Sequence, residues 1–247
     1  MDQEFFREYA EIEDRHWWFR GRRAIFSRLL ARFQGRPGLR FLDIGFGTGA
    51  MLTFLARYGS VIGMEMSAEA IRFARIRCDQ PMIRGDVSRV PLRPGSVDLV
   101  TAFDILEHVD DDAGALAELA RVCRTGGHVL LTVPAFQFLW GNQDVISHHR
   151  RRYTLDQFRA RVEGAGFRVV TLTYFNALLF PVVASIRLAR RLRRAPSGEI
   201  KSDFTMTKPG VMNDLLTRIF AAEGALLTRW RLPVGVSVVC LAERVGK

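Results

Sequence analysis

Apolar positions near the start of the chain recur every three to four residues: Phe5, Phe6, Tyr9 and Ile12, then a second run from Ala24 to Phe33. That spacing predicts helices over residues 1–34, closed by the breaker Gln34-Gly-Arg-Pro-Gly38. From residue 39 the pattern changes to short apolar runs bounded by turn residues. Strands are expected up to Asp43, over Val61–Glu65, over Met82–Val87, within 90–104 after a turn, and over His128–Pro134. Helical spacing fills the gaps at Met51–Arg57, Ala68–Arg77 and Ala113–Cys123, the last ended by Arg124-Thr-Gly-Gly127 as a glycine C-cap. A helix over Leu155–Ala165 follows a capping box at Thr154 and Gln157, and further strands are expected at Gly166–Tyr174 and Pro233–Glu243. Strands alternating with helices imply an α/β fold around a parallel sheet.

Between the last two strands lie roughly fifty to sixty residues, far more than an ordinary connection needs. They begin with an apolar helix at Phe175–Arg187 that turns strongly basic over Leu188–Arg194. A polar loop at Ala195–Gly210 and a second amphipathic helix at Val211–Trp230 follow.

Composition narrows the class. The chain has 247 residues, 48% hydrophobic and 25% charged, as expected of one sizeable globular domain with an elaboration. Its net charge of +10 fits either an anionic partner or a solvated basic surface. Cys78, Cys123 and Cys240 are widely spaced, which argues against a zinc site or a disulfide framework and fits a reducing cytosol. Met1–Glu13 is acidic and polar, unlike a secretory signal, and the longest apolar run, Ala177–Ile186, is too short to span a bilayer. A cytoplasmic protein is expected.

The chemistry gathers around Phe41-Leu-Asp-Ile-Gly-Phe-Gly-Thr-Gly-Ala50. A strand ending in Asp43, glycines at 45, 47 and 49, and a helix after them let a ligand meet bare backbone and the positive end of that helix. Glu65 lies about twenty residues further on, at a strand's carboxyl end, where a carboxylate can hold a ribose diol. It can equally be an acid before the helix that Ser67 caps. Taken alone, the turn suits a methyl donor or a nicotinamide, because Gly45, Gly47 and Ala50 also satisfy the dinucleotide fingerprint.

Six elements in order decide between them: Asp43-x-Gly45-x-Gly47-x-Gly49, Glu65, Gly85-Asp86, Pro91 to Ser96-Val-Asp98-Leu-Val, Leu106-Glu-His108 and Arg124-x-Gly-Gly127. Together they resemble the class I S-adenosylmethionine-dependent methyltransferases. His16-Trp17-Trp18-Phe19 and His149-Arg-Arg-Arg-Tyr153 resemble a subgroup acting on small-molecule, sugar or lipid-linked acceptors. The resemblance implies a Rossmann-like, seven-stranded, mostly parallel sheet whose last strand is antiparallel. Residues 1–247 would form one domain: an N-terminal helical lid at 1–38, a cofactor-binding core at 39–174 and 233–247, and a helical insertion or cap at 175–232.

The resemblance further implies S-adenosylmethionine as cofactor, leaving as S-adenosylhomocysteine. Gly45, Gly47 and Gly49 would pass under its methionine part and Asp43 would position its amino group. Glu65, with Met66 beside it, would hold the ribose. Asp86 and the Val87 backbone would meet the adenine, and Phe103 or Ala102 would sit by the sulfonium or the amino acid part. Phe46 departs from the small residue common at its position, and Asp98 sits at the start of a strand, away from the ligand edge.

Methyl transfer to oxygen or nitrogen benefits from proton removal, for which His is suited near neutral pH. His149, with His108 and His148, is the expected catalytic set; His128 begins a buried strand and reads as structural. His16, Trp17 and Trp18 are expected to close over the acceptor, or else to anchor the first helices. Arg151 and Arg152, with Arg150 and Tyr153, precede a helix N-terminus and could grip an acceptor anion, or form a solvated basic turn. The acid pairs form no plausible metal-ligand cluster in the sequence, so no metal is expected. The expected partner is a small or lipid-linked acceptor. DNA is not expected; the rivals are an RNA methyltransferase, suggested by charge alone without an appended RNA-binding module, and a protein that binds S-adenosylmethionine or NAD without catalysis. The Arg187–Arg194 face could rest on an anionic membrane, or the helix pair could simply cap the pocket.

Overall fold

A computed structural model describes residues 3–192, 210–227 and 229–246. Seven strands form one sheet in the order β3-β2-β1-β4-β5-β7-β6. They are β1 (Arg40–Ile44), β2 (Ser60–Glu65), β3 (Met82–Arg84), β4 (Val97–Phe103), β5 (Cys123–Pro134), β6 (Phe167–Phe175) and β7 (Ser237–Arg244). The first five run parallel; β7 pairs antiparallel with both β5 and β6. This is the Rossmann-like sheet expected from the sequence.

The period-2 alternation of the strands divides two apolar layers. Leu42, Val100, Leu131 and Cys240 face α5 (Asp112–Val122) and α7 (Leu155–Gly164). Phe41, Leu99, Leu130 and Val239 face α2 (Trp17–Leu30), α3 (Ala50–Leu55), α4 (Ala68–Arg77) and α9 (Val211–Leu227). Local chemistry sets the helix starts: Ser67 accepts from the Ala70 amide, Asp111 from Gly114, and Thr154 from Gln157. Two shorter helices stand at the ligand edge, α1 (Gln3–Ile12) before α2 and α6 (Asn142–Ile146) after β5, and α8 (Phe180–Leu192) follows β6.

Helix α2 and α9 cross closely because Gly21 has no side chain: a Cβ there would lie 2.3 Å from the Phe220 ring. Phe220 is fully buried between Trp18 and Phe175, at ring-centroid distances of 5.2 and 5.9 Å. Burial of such a side chain contributes about 1.5–3 kcal/mol. Helices α2 and α9, from the segments expected as lid and insertion, thus share one core layer with the sheet, while α8 contributes Val183, Ile186 and Arg187 to the ligand edge.

Three local expectations change. Helix α5 ends at Val122, and Cys123 is already extended, so Arg124–Gly127 forms the first part of β5 instead of capping the helix. Asp98 accepts from Arg124 Nε at 2.5 Å and from the Arg40 amide at 2.8 Å, which ties that stretch to β4. Helix α8 begins five residues later than expected because Phe175 completes β6 and Asn176 turns with φ +56°. The expected helix to Trp230 ends at Leu227. The Ala195–Gly210 loop lies outside the described residues except for Gly210, which is exposed with φ +152°.

Candidate active site

The carboxyl ends of β1 to β4, the amino end of β7 and the rims of α2 and α8 enclose one cavity of about 1070 Å³. Ligands of open α/β sheets bind at this edge.

On one side lies the glycine turn. Gly45, Gly47 and Gly49 all hold positive φ, at +69°, +57° and +91°. An added Cβ at Gly45 would strike Ile105 Cδ1 at 2.0 Å, whereas one at Gly47 would meet no protein atom within 4 Å. Gly47 therefore faces open cavity. Gly49 does not line it: a Cβ there would press on Ala74 at 2.9 Å, so this glycine lets α3 and α4 approach. Phe46 packs inward over β2, where Gly63 leaves room for its ring.

Glu65 binds the turn from β2. Its Oε2 accepts from the Gly47 amide at 3.1 Å, and its Oε1 accepts from Met66 and Ser67 at 2.8 and 2.9 Å. The carboxylate thus serves the turn and still lines the cavity with spare lone pairs. Asp86 accepts from the Ser88 amide at 2.7 Å, which holds its carboxyl below the usual range. Asp86, Val87, Met66 and Phe103 line the same side, and Phe103 stacks on Phe26 with centroids 4.5 Å apart.

Asp43 lies beneath the turn, 1% exposed. Its Oδ1 accepts from Thr101 Oγ1 at 2.6 Å, and Oδ2 has no protein partner. Burial pushes its carboxyl up to about 7, against the Thr101 hydrogen bond and with help from Glu13 and Glu65. The unfolded value is near 4, so the folded chain binds the extra proton between about pH 4 and pH 7. Stability from this group is greatest below that window and falls as pH rises through it. Asp43→Asn is expected to melt higher than the parent protein at pH 8, with the gain shrinking toward pH 4. Thermal melts across that range check it; a pH-independent difference contradicts it.

The first helices cover the turn. Glu13 accepts from Thr48 Oγ1 and from Arg77 at 2.6 Å, and burial raises its carboxyl. His16 caps α2 by accepting from the Trp18 amide at 3.3 Å, and burial lowers it to about 4, so it is neutral. Trp17 and Trp18 line the cavity but lean on Phe220 of α9. Arg22 crosses from α2 to Asp104 at 2.7 Å and to Thr132 at 3.0 Å, beneath Trp18. Neither Glu13 nor the Arg22–Asp104 pair is marked by a sequence motif.

The opposite side is built by two loops that Arg150 fastens together. Its amide donates to the Glu107 carbonyl and its Nε to the His108 carbonyl, both at 2.8 Å, while its guanidinium pairs with Asp110. This sets the His108 and His149 rings edge to face, 4.7 Å apart. Behind them Asp144 of α6 accepts from His149 Nδ1 at 2.8 Å, which turns Nε2 toward the cavity and to 3.8 Å from Glu107 Oε1. Burial would raise Asp144, but the bonds from His149 and Arg152 hold it well below the usual range. His108 is lowered to about 4 by burial and then by His149. Burial, then Asp104, raises the Glu107 carboxyl. His148 is exposed at the rim with φ +54°. Asp104, His148 and Asn176 all hold left-handed backbone at the cavity wall, the kind of strain that collects at functional sites.

The basic turn is corrected by these contacts. Arg152 is 8% exposed and grips Asp144 with Nε and NH2 at 2.8 and 2.9 Å, so its fork is occupied from within. Arg151 donates to the Asp110 carbonyl at 2.9 Å and lies 3.5 Å from Asp112; it does not line the cavity. Tyr153 is buried, with its hydroxyl on Asp112 at 2.9 Å, and also lies outside the lining. Neighbouring acids pair with all three, and of them only Arg152 lines the cavity. His128 sits at the far end of the sheet against Phe33, 5.3 Å between centroids.

Among the described residues, Glu107, His108 and His149 form a cluster able to hold a metal ion, their ligand atoms all within 4.8 Å of one another. The sequence hid this set because two loops supply it, and neither loop alone has metal-ligand spacing.

Known proteins are consistent with this geometry. Residues 42–131 match the family model of a methyltransferase domain. The chain is 30% identical over 167 residues to a probable S-adenosylmethionine-dependent methyltransferase of Mycolicibacterium smegmatis, covering 66% of this chain and 64% of that one. It is 26% identical over 147 residues to a ubiquinone biosynthesis O-methyltransferase of Pectobacterium carotovorum, covering 53% and 62%. It thus spans less than two thirds of either relative. A chain from the complex of the Haloferax volcanii Trm112 methyltransferase activator with a methyltransferase superposes with a TM-score of 0.64 at 19% identity, covering 99% of this chain and 96% of that one.

Proposed function

Since this chain belongs to the class I S-adenosylmethionine-dependent methyltransferase family, we propose that it transfers the sulfonium methyl group to an oxygen of a small or lipid-linked acceptor. The observation that carries this reading is the single cavity joining the glycine turn and Glu65 to the His108–His149 pair. Sulfonium methyl transfer is an in-line displacement, and the protein's task is to align donor and acceptor and to exclude water. The methionine part of the cofactor would lie over Gly45 and Gly47, its ribose on Glu65 and its adenine near Asp86 and Val87. The methyl group would then point away from the turn, toward His149 Nε2.

His149, fixed by Asp144, is the group that assists loss of the acceptor proton. The kinship with an O-methyltransferase favours oxygen as the methylated atom. A lipid-linked acceptor is favoured by α8: Val183 and Ile186 line the cavity, and Val182, 58% exposed, stands beside Ile186 on the same side of the helix. Of the basic face expected to dock on a membrane, only the Arg187 side chain is among those described; those of Arg190 and Arg191 are not. Arg187 turns inward, 3.6 Å from Asp144, and Arg193 and Arg194 lie outside the described residues. No helix among the described residues is long and apolar enough to cross a membrane.

The test is label transfer from methyl-tritiated S-adenosylmethionine into an extract of the native host, followed by partition between organic and aqueous phases. Organic-phase label is expected. Label confined to the aqueous phase would rule out the lipid-linked acceptor, and label in RNA would overturn the small-acceptor reading.

A further inference from the structure

Glu107 is the anomaly of the site. Its side chain is fully buried, and neither carboxylate oxygen accepts a hydrogen bond from another residue. A buried carboxylate left without partners is costly, and such groups are normally paired or coordinate a cation. Arg22 neutralises Asp104 and Arg152 neutralises Asp144, yet no arginine is bonded to Glu107. What faces Glu107 instead is a pair of imidazoles. His108 is its neighbour in the single turn after β4, and His149 brings Nε2 to 3.8 Å from Oε1.

We propose that Glu107, His108 and His149 bind one divalent cation of the zinc class, and that this cation holds and activates the acceptor oxygen. The proposal rests on the methyl-transfer reading given above. Three side chains offer two nitrogens and one carboxylate oxygen within 4.8 Å of one another. Bonds of about 2.0–2.2 Å would draw them slightly closer. Two imidazoles and a carboxylate suit zinc and its first-row neighbours, whereas magnesium prefers oxygen and water. Asp144 on His149 Nδ1 supplies the outer carboxylate that typically orients a metal-bound imidazole. Three protein ligands leave a position open toward the cavity, as metal sites that act on a substrate require.

An acceptor hydroxyl bound at that position becomes acidic and releases its proton to solvent. The resulting oxygen anion attacks the methyl carbon; the C–O bond forms, the C–S bond breaks, and sulfur keeps the electron pair. Methylated acceptor, S-adenosylhomocysteine and one proton leave. His149 then serves as a ligand, and the metal performs the activation otherwise required of a free base.

Cobalt(II) titration of the metal-stripped whole protein tests this, read by visible d–d absorption and by the thermal shift that the ion produces. Saturation near one ion per chain is expected, with zinc displacing the cobalt. Glu107→Gln and His149→Asn should each weaken binding at least tenfold and abolish the thermal shift; His108→Asn serves if either fails to fold. Binding of S-adenosylhomocysteine, measured alongside, separates the two levels. If it binds but cobalt does not, or if the variants bind cobalt unchanged, the metal site is wrong. If S-adenosylhomocysteine itself fails to bind, the methyltransferase reading falls first.

Discussion

Replacing His149 with alanine should lower methyl-transfer turnover by about 10²–10⁴-fold, the range seen when a group that moves a proton at the reacting centre is removed. Affinity for S-adenosylhomocysteine should stay within about threefold, because His149 lies across the cavity from the glycine turn. The substitution leaves the fold supported. Arg152 still grips Asp144 through two hydrogen bonds, and Arg150 still ties the loop to the Glu107 and His108 carbonyls. The expected signature is lost turnover with cofactor binding and melting temperature retained. This outcome holds whether His149 takes the proton itself or holds a cation that acidifies the acceptor. Unchanged turnover would remove His149 from the mechanism altogether.

The second large effect is expected at Gly47. A methyl group there meets no protein atom within 4 Å, so the folded protein pays only the backbone strain of a non-glycine residue at φ +57°, about 1–3 kcal/mol. The added carbon, however, projects into the cavity beside Glu65, where the cofactor would pass. Gly47→Ala should therefore lower S-adenosylhomocysteine affinity by at least tenfold while the protein still folds. Gly45→Ala should behave differently, because its methyl would strike Ile105 at 2.0 Å and shift the end of β4. That variant is expected to lose stability as well as binding. Calorimetry and thermal melts on the two variants check the contrast; equal cofactor affinity in Gly47→Ala and the parent protein would place the ligand elsewhere.

Much of this site was legible before the structure. Strand runs ending in Asp43, Glu65, Asp86 and Asp104 place carboxylates at one sheet edge because parallel strands share a direction. Glycines at 45 and 47 mark the turn because only glycine holds those angles cheaply. Such local rules give the alternating strands and helices, while the seven-stranded sheet with its antiparallel last strand and the cofactor-side roles come from the family resemblance. The acceptor side follows from neither, because it depends on contacts between distant loops. Arg150, Arg151 and Arg152 look like a free basic cluster in sequence, but Asp110, Asp112 and Asp144 neutralise them after folding. The short helix α6 carries Asp144 behind His149, and no periodicity over five residues could announce it. Glu107 is hidden for the same reason: its lack of partners exists only once burial has removed water.

Helix ends went astray where the chain extends without a breaker. Cys123 leaves α5 directly into β5, and the glycines at 126 and 127 shape the strand's entry instead of the helix's exit. Likewise Asn176, not a glycine or proline, turns the chain from β6 toward α8. The polar cap residues Ser67, Asp111 and Thr154, by contrast, mark true helix starts because their side chains accept directly from the first-turn amides.

The central claim is that the cavity over Gly45, Gly47 and Glu65 takes the methyl donor. Isothermal titration of the full chain with S-adenosylhomocysteine, and separately with NAD, tests it most directly. The expected result is one-to-one binding of S-adenosylhomocysteine that weakens at least tenfold in Gly47→Ala, with no heat from NAD. Saturable binding of NAD, or no binding of S-adenosylhomocysteine by the folded protein, would contradict it.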